Sequence, residues 1–580
     1  MYLRRTQRRR RDGSVVGYLQ LAHNRRVGGT VQAEVLLNLG REDELDVKGL
    51  RRLARSIARY TDSADGVAAV GEAAGPELRV SDARPFGAAW VLDVLWRRLQ
   101  IGRALEESLA DRRHRRDVER VLFALVCNRA IRPESKLAAA EWVSWDAAIP
   151  GLCVLEAQHA YRAMDVLAGS DVSGAVQEAV FFAVADLLNL EVDLLFFDTT
   201  STYFEIEDED EDGDEERADE AAESLRRFGH SKDHRPDLPQ VVIGLAVTRD
   251  GIPVRVWVWP GNTSDRSVIE QVKDDLAGWR LGRCVWVVDR GLSSEENLRY
   301  LRRGGGHWIA GQRMRAGEPT SEAALARQGR YRQVRENLRV KEVKLGEGEG
   351  QRRFIVCHNP DERLRDKQRR ERAIKRIEEE LERIERLRAR AGKAGTAHVR
   401  AECALRDHPS YSRYLRQLPS GRLRVDRARV AEEEKLDGKF LLETSDPDIS
   451  AEDAALGYKN LLEAERSFRD LKGTLRIRPV FHRPDERIRA HVLICWLALL
   501  LVRIAERHTD QTWRRARTEL ERIKLVTLTG QAGTVQQTTP LTDNSGRSST
   551  HSTSPPRRPS PRSTQPERLA GVWTHASTPH

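Results

Sequence analysis

"VDLLFFDTTSTYFE", residues 192–205, decides how the rest of the chain is read. Val192, Leu194, Leu195, Phe196 and Phe197 form an apolar run of the length of a buried strand, and the run breaks on Asp198. Thr199, Thr200, Ser201 and Thr202 follow and read as a turn that leaves the Asp198 carboxylate free. Asp198 either caps the loop after the strand or is held at its end for chemistry.

The flanking sequence places that strand in a sheet. "PQVVIGLAVTRDGIPVRVWVWPGN" (239–262) is a hairpin, two β-branched runs around Asp250-Gly251, a dipeptide that accepts the positive φ of a tight turn. A helix ("DRSVIEQVKDDLAGWR"), a strand ("CVWVVDRG"), a helix ("SSEENLRYLRRG") and a strand ("HWIAG") follow, giving β–β–β–α–β–α–β. The fourth strand ends on Asp289 as the first ends on Asp198. Two strands ending on aspartates bring both carboxylates to one sheet edge, where α/β folds build sites. Like charges held there repel, and a divalent cation is the usual resolution. A lone aspartate in such a place is commonly a cap; the pair, in this strand order, reads as a site.

The remainder bounds the class. A chain of 580 residues exceeds one ordinary core, so several units are expected. With 39% hydrophobic and 32% charged residues and a net charge of +9, it suits polyanion partners, nucleic acid first. Six scattered cysteines form no CxxC pair or metal spacing, which reads as reduced and cytoplasmic. "VLICWLALLLV" (492–502) is too short to span a bilayer and reads as a buried helix, so no membrane partner is expected.

Along the chain, residues 1–75 hold a basic arm and a small β unit ("VVGYLQLAH", "TVQAEVLLNLG"). Residues 76–190 are helical, with Arg112, Arg113, Arg115 and Arg116 between helices, a pattern compatible with scaffold or DNA contact. The acidic run from Glu205 to Glu223 reads as a disordered, solvated loop between two strands. Residues 316–445 break the β–α alternation with short β runs and a long helix over 361–392, striped by Ile374, Ile377, Leu381, Ile384 and Leu387. This stretch reads as an insertion.

A third acid comes from "YKNLLEAERSFRDLK" (458–472). On one helix, the seven-residue spacing of Tyr458, Glu465 and Lys472 returns them to nearly the same face, with Arg469 one turn beyond Glu465. Glu463 points away from that line and is the rival. Intrahelical Glu–Arg pairs on a solvated helix would look similar.

Asp198 in "FFDTTSTYFE", Asp289 in "VVDRG" and the helix carrying Tyr458, Glu465 and Lys472 together resemble the DDE transposases of bacterial insertion sequences. The likeness is to the superfamily whose third acid sits in a Y-x2-R-x3-E-x6-K signature. "GHSKDHRPDLPQVVIGL" and "PGNTSD" resemble stretches between the first two acids in one branch, and the likeness runs from "YLRRT" and "LLNLGR" to about residue 525. The signature's arginine falls here on Leu461, with Lys459 or Arg466 as substitutes.

The resemblance implies an α/β, RNase H-like catalytic domain in two halves, 191–315 and 446–525, around the 316–445 insertion and after a helical, DNA-binding N-terminal domain. It implies a transposase that binds double-stranded DNA, element ends and target, as a homodimer in a synaptic complex, and cleaves and transfers strands. Two Mg²⁺ ions about 4 Å apart, or Mn²⁺ in their place, would be held by Asp198, Asp289 and Glu465. Tyr458, Lys472 and Arg469 would handle phosphate near the cut, with Lys232, Arg235 and Arg290 on the backbone. A metal-dependent nuclease of the same fold and a non-catalytic DNA-binding relic are the alternatives. Residues 526–580, rich in Thr, Ser and Pro, are expected to be a disordered tail of the kind a frameshift leaves.

Overall fold

A computed structural model of the chain describes residues 2–9, 15–27, 30–42, 45–50, 52, 78–108, 117–190, 192–206, 208–210, 224–265, 267–279, 281, 284–315, 319–390, 396–530 and 533–539. The four arginines at 112–116 and most of the acidic run therefore lie outside the described residues. The described chain falls into two units, Met1–Asp82 with Val526–Gln537, and Ala83–Leu525 with the remainder.

In the first unit β1 (Tyr2–Arg9), β2 (Val15–Val27) and β3 (Thr30–Arg41) form an antiparallel sheet in sequence order, as the alternating runs predict. A second sheet has the order β17-β16-β4, from β4 (Arg79–Pro85), β16 (Lys524–Gly530) and β17 (Gly533–Thr538). The expected disordered tail is thus corrected over 526–530 and 533–538. "KLVTLTG" carries β-branched residues that a strand far upstream can pair, for instance through Ser81 Oγ and Thr529 Oγ1, 448 residues apart in sequence and 2.9 Å in space.

The second unit opens with helices α1 (Gly87–Arg98), α2 (Ile101–Ser108), α3 (Asp117–Ile131), α4 (Lys136–Glu141), α5 (Ala157–Leu167) and α6 (Ser170–Leu188). Then come β5 (Leu194–Tyr203), β6 (Gln240–Thr248), β7 (Pro253–Pro260), α7 (Ile269–Ala277), β8 (Val285–Val288), α8 (Glu295–Arg302) and β9 (His307–Gln312), the order read from sequence. The hairpin turn falls where expected, with Gly251 at φ +73°. β5 pairs antiparallel with β6 and parallel with β8, and β8 parallel with β9.

The 316–445 stretch does not stand apart from this sheet. After α9 (Pro319–Ala326), β10 (Arg332–Arg335), β11 (Leu338–Leu345) and β12 (Arg352–His358) form an antiparallel meander. α10 (Pro360–Arg390), α11 (Ala397–Arg406), β13 (Leu415–Gln417), β14 (Leu423–Val425) and α12 (Arg427–Glu434) gather their own small core, with Ile377 and Ile384 of the stripe buried in it. β15 (Lys439–Thr444) then pairs with both β12 and β9. One nine-stranded sheet results, β10-β11-β12-β15-β9-β8-β5-β6-β7.

The chain returns through α13 (Ala451–Lys459), α14 (Leu462–Lys472), α15 (Asp485–Thr509) and α16 (Trp513–Leu520). Alternate strand residues face opposite cores: Leu194, Phe196, Val285, Val287 and Ile309 one, Leu195, Phe197, Trp286, Val288 and Trp308 the other. α13, α14 and α15 belong to the first core, α7 and α8 to the second. α15 is apolar on all sides and long enough by composition to cross a membrane, but it lies buried among α1, α3, α5, α14 and β7.

Burying α15 also buries charge. Lys136 is 3% exposed, its Nζ 3.2 Å from His491 Nδ1, while His491 Nε2 lies 2.8 Å from the Ile477 carbonyl. Burial, with Arg129 nearby, lowers the Lys136 pKa from 10.5 to about 7. Between about pH 7 and the unfolded value of 10.5 the unfolded chain binds the extra proton, so stability rises with pH there. Relative to Lys136→Met, the parent should gain up to about 1.4 kcal/mol per pH unit across that window, measured by urea unfolding at pH 7 to 9.5. Parallel curves for the two proteins would refute this.

Candidate active site

Strand register brings the two aspartates together. The parallel β5–β8 pairing ends at Phe197↔Val288, so Asp198 and Asp289 follow abreast on neighbouring strands. Both share the parity of Phe196 and Val287, and therefore face α13 and α14. The expected turn after Asp198 is corrected: β5 continues through Thr199, Thr200, Ser201 and Thr202 to Tyr203, paired with β6 as Asp198↔Leu245 and Tyr203↔Gln240. Three of the four small hydroxyl residues are β-branched threonines, which suit a strand as readily as a turn, and β6 supplies the ladder. What ends at Phe197 is only the partnership with β8.

Past that point Thr199 is satisfied otherwise. Its N–H donates to Asp198 Oδ1 at 2.7 Å, and its carbonyl accepts from Lys232 Nζ at 2.9 Å. Its hydroxyl donates to Asp265 Oδ1 at 2.6 Å, and Lys232 pairs with Asp265 Oδ2 at 3.0 Å. Burial raises the Asp198 pKa from 3.8 to about 6; Lys232 and the Thr199 N–H pull it back, and Asp289 and Asp265 add to the rise. Carboxylate oxygens set abreast in a half-dry site, needing a cation, are the donor chemistry of a hard divalent ion.

Tyr458 closes one side. Its hydroxyl donates to Asp289 Oδ1 at 2.9 Å, and burial with the adjoining Asp289 charge holds its pKa well above the ordinary tyrosine value. It reaches Asp289 by crossing β9 at Gly311, where an added Cβ would stand 2.2 Å from Tyr458 Oη and 3.1 Å from Arg290 Cγ. The space over β9 exists because position 311 is glycine.

The single helix expected across 458–472 is two. α13 ends at Lys459, and Asn460 and Leu461 make a turn with short-range bonds to Gly457 and Tyr458 before α14 starts. Asn460 is a poor helix former whose turn lets Leu461 drop into the core, where it is 7% exposed. Tyr458 thus owes its place to Gly311 and Asp289, whereas Glu465 and Lys472 do share a face of α14, about 10 Å apart along its axis. Glu465 is exposed, and among the described residues no three His, Cys, Asp or Glu are grouped as a metal site. The rival Glu463 lies elsewhere, its Oε2 2.7 Å from where a Cβ on Gly251 would be and 3.8 Å from Arg466.

Lys472 is half-buried, its Nζ 2.9 Å from Asp233 Oδ1. Arg478 pairs with the other oxygen of the same carboxylate, and its guanidinium lies 5.1 Å over the Tyr203 ring. Arg235 covers that ring at 5.3 Å and pairs with Asp237 at 2.7 Å. Arg469 and Arg290 are exposed. Of the two substitutes for the missing signature arginine, Arg466 pairs with Glu506 at 3.3 Å, and Lys459 lies near Cys357 of β12. Sequence reasoning missed Asp233, Asp265 and Arg478. Asp265 and Asp233 sat inside quoted motifs, "PGNTSD" and "GHSKDHRPDL", and a carboxylate between Lys232 and other basic residues was the available signal.

A family model described as "Transposase DDE domain" matches residues 217–501, taking in Asp289, Tyr458, Glu465 and Lys472 but beginning after Asp198. A second, "IS1634 family transposase, N-terminal domain", matches residues 3–69. A solved structure, "Cryo-EM structure of piggyBac transposase synaptic complex with hairpin DNA (SNHP)", aligns at 8% identity over 75% of this chain and 79% of that one. Its TM-score of 0.34 is too low to bear on the fold. No curated protein matches the chain.

The Gly311 geometry is testable without substrate. Gly311→Ala should destabilise the protein by about 1–3 kcal/mol through overpacking. In a Tyr458→Ala background the same change should cost less than half as much, a coupling read by a double-mutant cycle in denaturant unfolding. Additive losses would show that Tyr458 does not occupy that space.

Proposed function

Because the chain belongs to the DDE transposases of insertion sequences, enzymes of DNA transposition, we propose that Asp198, Asp289 and Glu465 are its catalytic carboxylates and that it cleaves and transfers DNA strands at the ends of its element. The observation that carries this is the alignment of Asp198 and Asp289 at the end of the β5–β8 pairing, facing the helix that bears Glu465. Within the nine-stranded sheet, β7-β6-β5-β8-β9 has three antiparallel strands followed by parallel ones, which we read as an RNase H-like core. The rival Glu463, beside the β6–β7 turn, is not needed by this reading.

Transposase DDE domains generally use divalent metal ions, and the neighbouring carboxylates Asp198 and Asp289 suit such an ion; in this reading Glu465 of α14, exposed and not grouped with them, completes the set. Two Mg²⁺ ions, with Mn²⁺ able to substitute, would there activate a water or 3′-hydroxyl and stabilise the leaving oxygen. The chain's own residues do the rest. The Tyr458 hydroxyl fixes one oxygen of Asp289 and so orients the other. Lys472 and Arg478, held side by side by Asp233, present two cations to a phosphate, and Arg478 supplies the charge absent at Leu461. Lys232, restrained by Asp265, compensates the Asp198 carboxylate while no other cation does. Arg235, Arg290 and Arg469 reach the DNA backbone. The active assembly in this reading is a homodimer pairing two element ends in the cytoplasm, and its target is double-stranded DNA.

Asp198→Ala, Asp289→Ala and Glu465→Ala should each lower strand cleavage and transfer by roughly 10³-fold or more, about 4 kcal/mol of transition-state stabilisation. Glu463→Ala should stay within about threefold of the parent. Chelating divalent ions should abolish activity, and Mg²⁺ or Mn²⁺ should restore it. Cleavage that survives any of the three carboxylate changes would overturn the assignment. Cleavage without strand transfer in the parent would favour the nuclease alternative.

A further inference from the structure

The helical part of the insertion carries a second basic feature, away from the carboxylates. A cleft of about 500 Å³ is lined by Arg315, Arg369, Arg370, Arg372, Arg376 and Arg413, together with three carboxylates and the His408–Tyr411 pair. The acids are already engaged. Asp437 holds Arg370, Glu433 takes Arg315 at 3.0 Å and Arg413 at 3.8 Å, and Asp366 takes Arg369 at 3.0 Å and the Gly438 N–H at 2.9 Å. Arg372 and Arg376 remain, exposed and four residues apart on α10.

The missing acidic partners are what make the cleft informative. Elsewhere along α10 arginines pair with acids three or seven residues away: Arg365 and Arg369 with Glu362, Arg383 with Glu380, Arg388 with Glu385. Arg372 and Arg376 stand one turn apart as Arg365 and Arg369 do, but no acid pairs with either among the described residues, and unrelieved like charges at this spacing cost a few tenths of a kcal/mol in an isolated helix. In a concave surface this is what two guanidiniums look like before an anion arrives. His408 and Tyr411 stack at 3.9 Å with planes 10° apart, giving the cleft a flat, rigid wall that a deoxyribose backbone can pack along.

We propose that this cleft in the insertion grips the phosphate backbone of duplex DNA through Arg372 and Arg376, outside the catalytic centre. The proposal rests on the reading of the chain as a DNA-processing enzyme. Backbone contacts of this kind add affinity without sequence preference, and each released counterion adds about 0.9 to the slope of log K against log salt.

The test is duplex binding by the full chain, followed by fluorescence anisotropy over a range of salt, for the parent, Arg372→Ala/Arg376→Ala and Asp198→Ala. The double arginine variant should bind roughly tenfold or more weakly at low salt, equally for duplexes with and without the element's end, with a salt slope shallower by about 2. Its cleavage at saturating DNA should match the parent's. Asp198→Ala should bind as the parent does and not cleave. If the arginine variant keeps the parent's affinity and slope while Asp198→Ala is inactive, the cleft proposal fails and the catalytic reading stands. If the parent neither binds nor cleaves duplex DNA, both fail. Both arginines are exposed and neither has an ion-pair partner among the described residues, Arg372 Nε donating only to the Gln368 carbonyl at 3.2 Å, so thermal unfolding of the variant should match the parent's; a large loss of stability would itself contradict the absence of an acidic partner.

Discussion

Four residue pairs of parallel strand, Leu194–Phe197 beside Val285–Val288, set the rest of the site. Their register decides which residues follow abreast, and side-chain alternation decides which face they look toward. A slip of one residue in either strand would turn its aspartate into the opposite core. Packing on both faces forbids the slip, because Phe196 and Phe197 are each completely buried, on opposite sides. Apolar packing thus holds two like charges where electrostatics alone would separate them, and Lys232 with the Thr199 N–H offsets part of the repulsion.

The helix over that face depends on a second constraint. Arg503 of α15 is 4% exposed, and its guanidinium reaches Asp470 of α14 at 2.9 Å and Glu506 at 3.0 Å. α14 is therefore tied to the most deeply buried helix of the protein as well as resting on β5 and β6. The helices of 87–188 are part of this arrangement, since α1, α3 and α5 wrap α15 and α6 spans to the other side of the sheet through Phe181.

The strands from Leu194 to Gln312 were legible because each is a short apolar run bounded by a turn signal, and the Asp250-Gly251 hairpin turn because few other dipeptides suit it. The buried character of 492–502 was legible from length against a bilayer. Three things were not. Thr199–Thr202 read as a turn because its pairing is with β6, past the acidic run. The break at Asn460–Leu461 escaped because seven-residue spacing assumes an unbroken helix. The place of β15 escaped because its sequence has no local sign that it will lie between β12 and β9. Asp233, Asp265 and Arg478 share that difficulty: their meaning lies in partners from distant loops.

The position of β15 has a mechanical corollary. Leu441–Thr444 pair with Ile309–Gln312, so the insertion is joined to β9 by strand hydrogen bonds rather than by a flexible neck. β9 in turn pairs with β8, whose next residue is Asp289. A tug on the 316–445 stretch is therefore carried as shear through the sheet, rung by rung, to the strand that leads into Asp289. The 316–445 stretch is a bracket on the nine-stranded sheet, built into its edge.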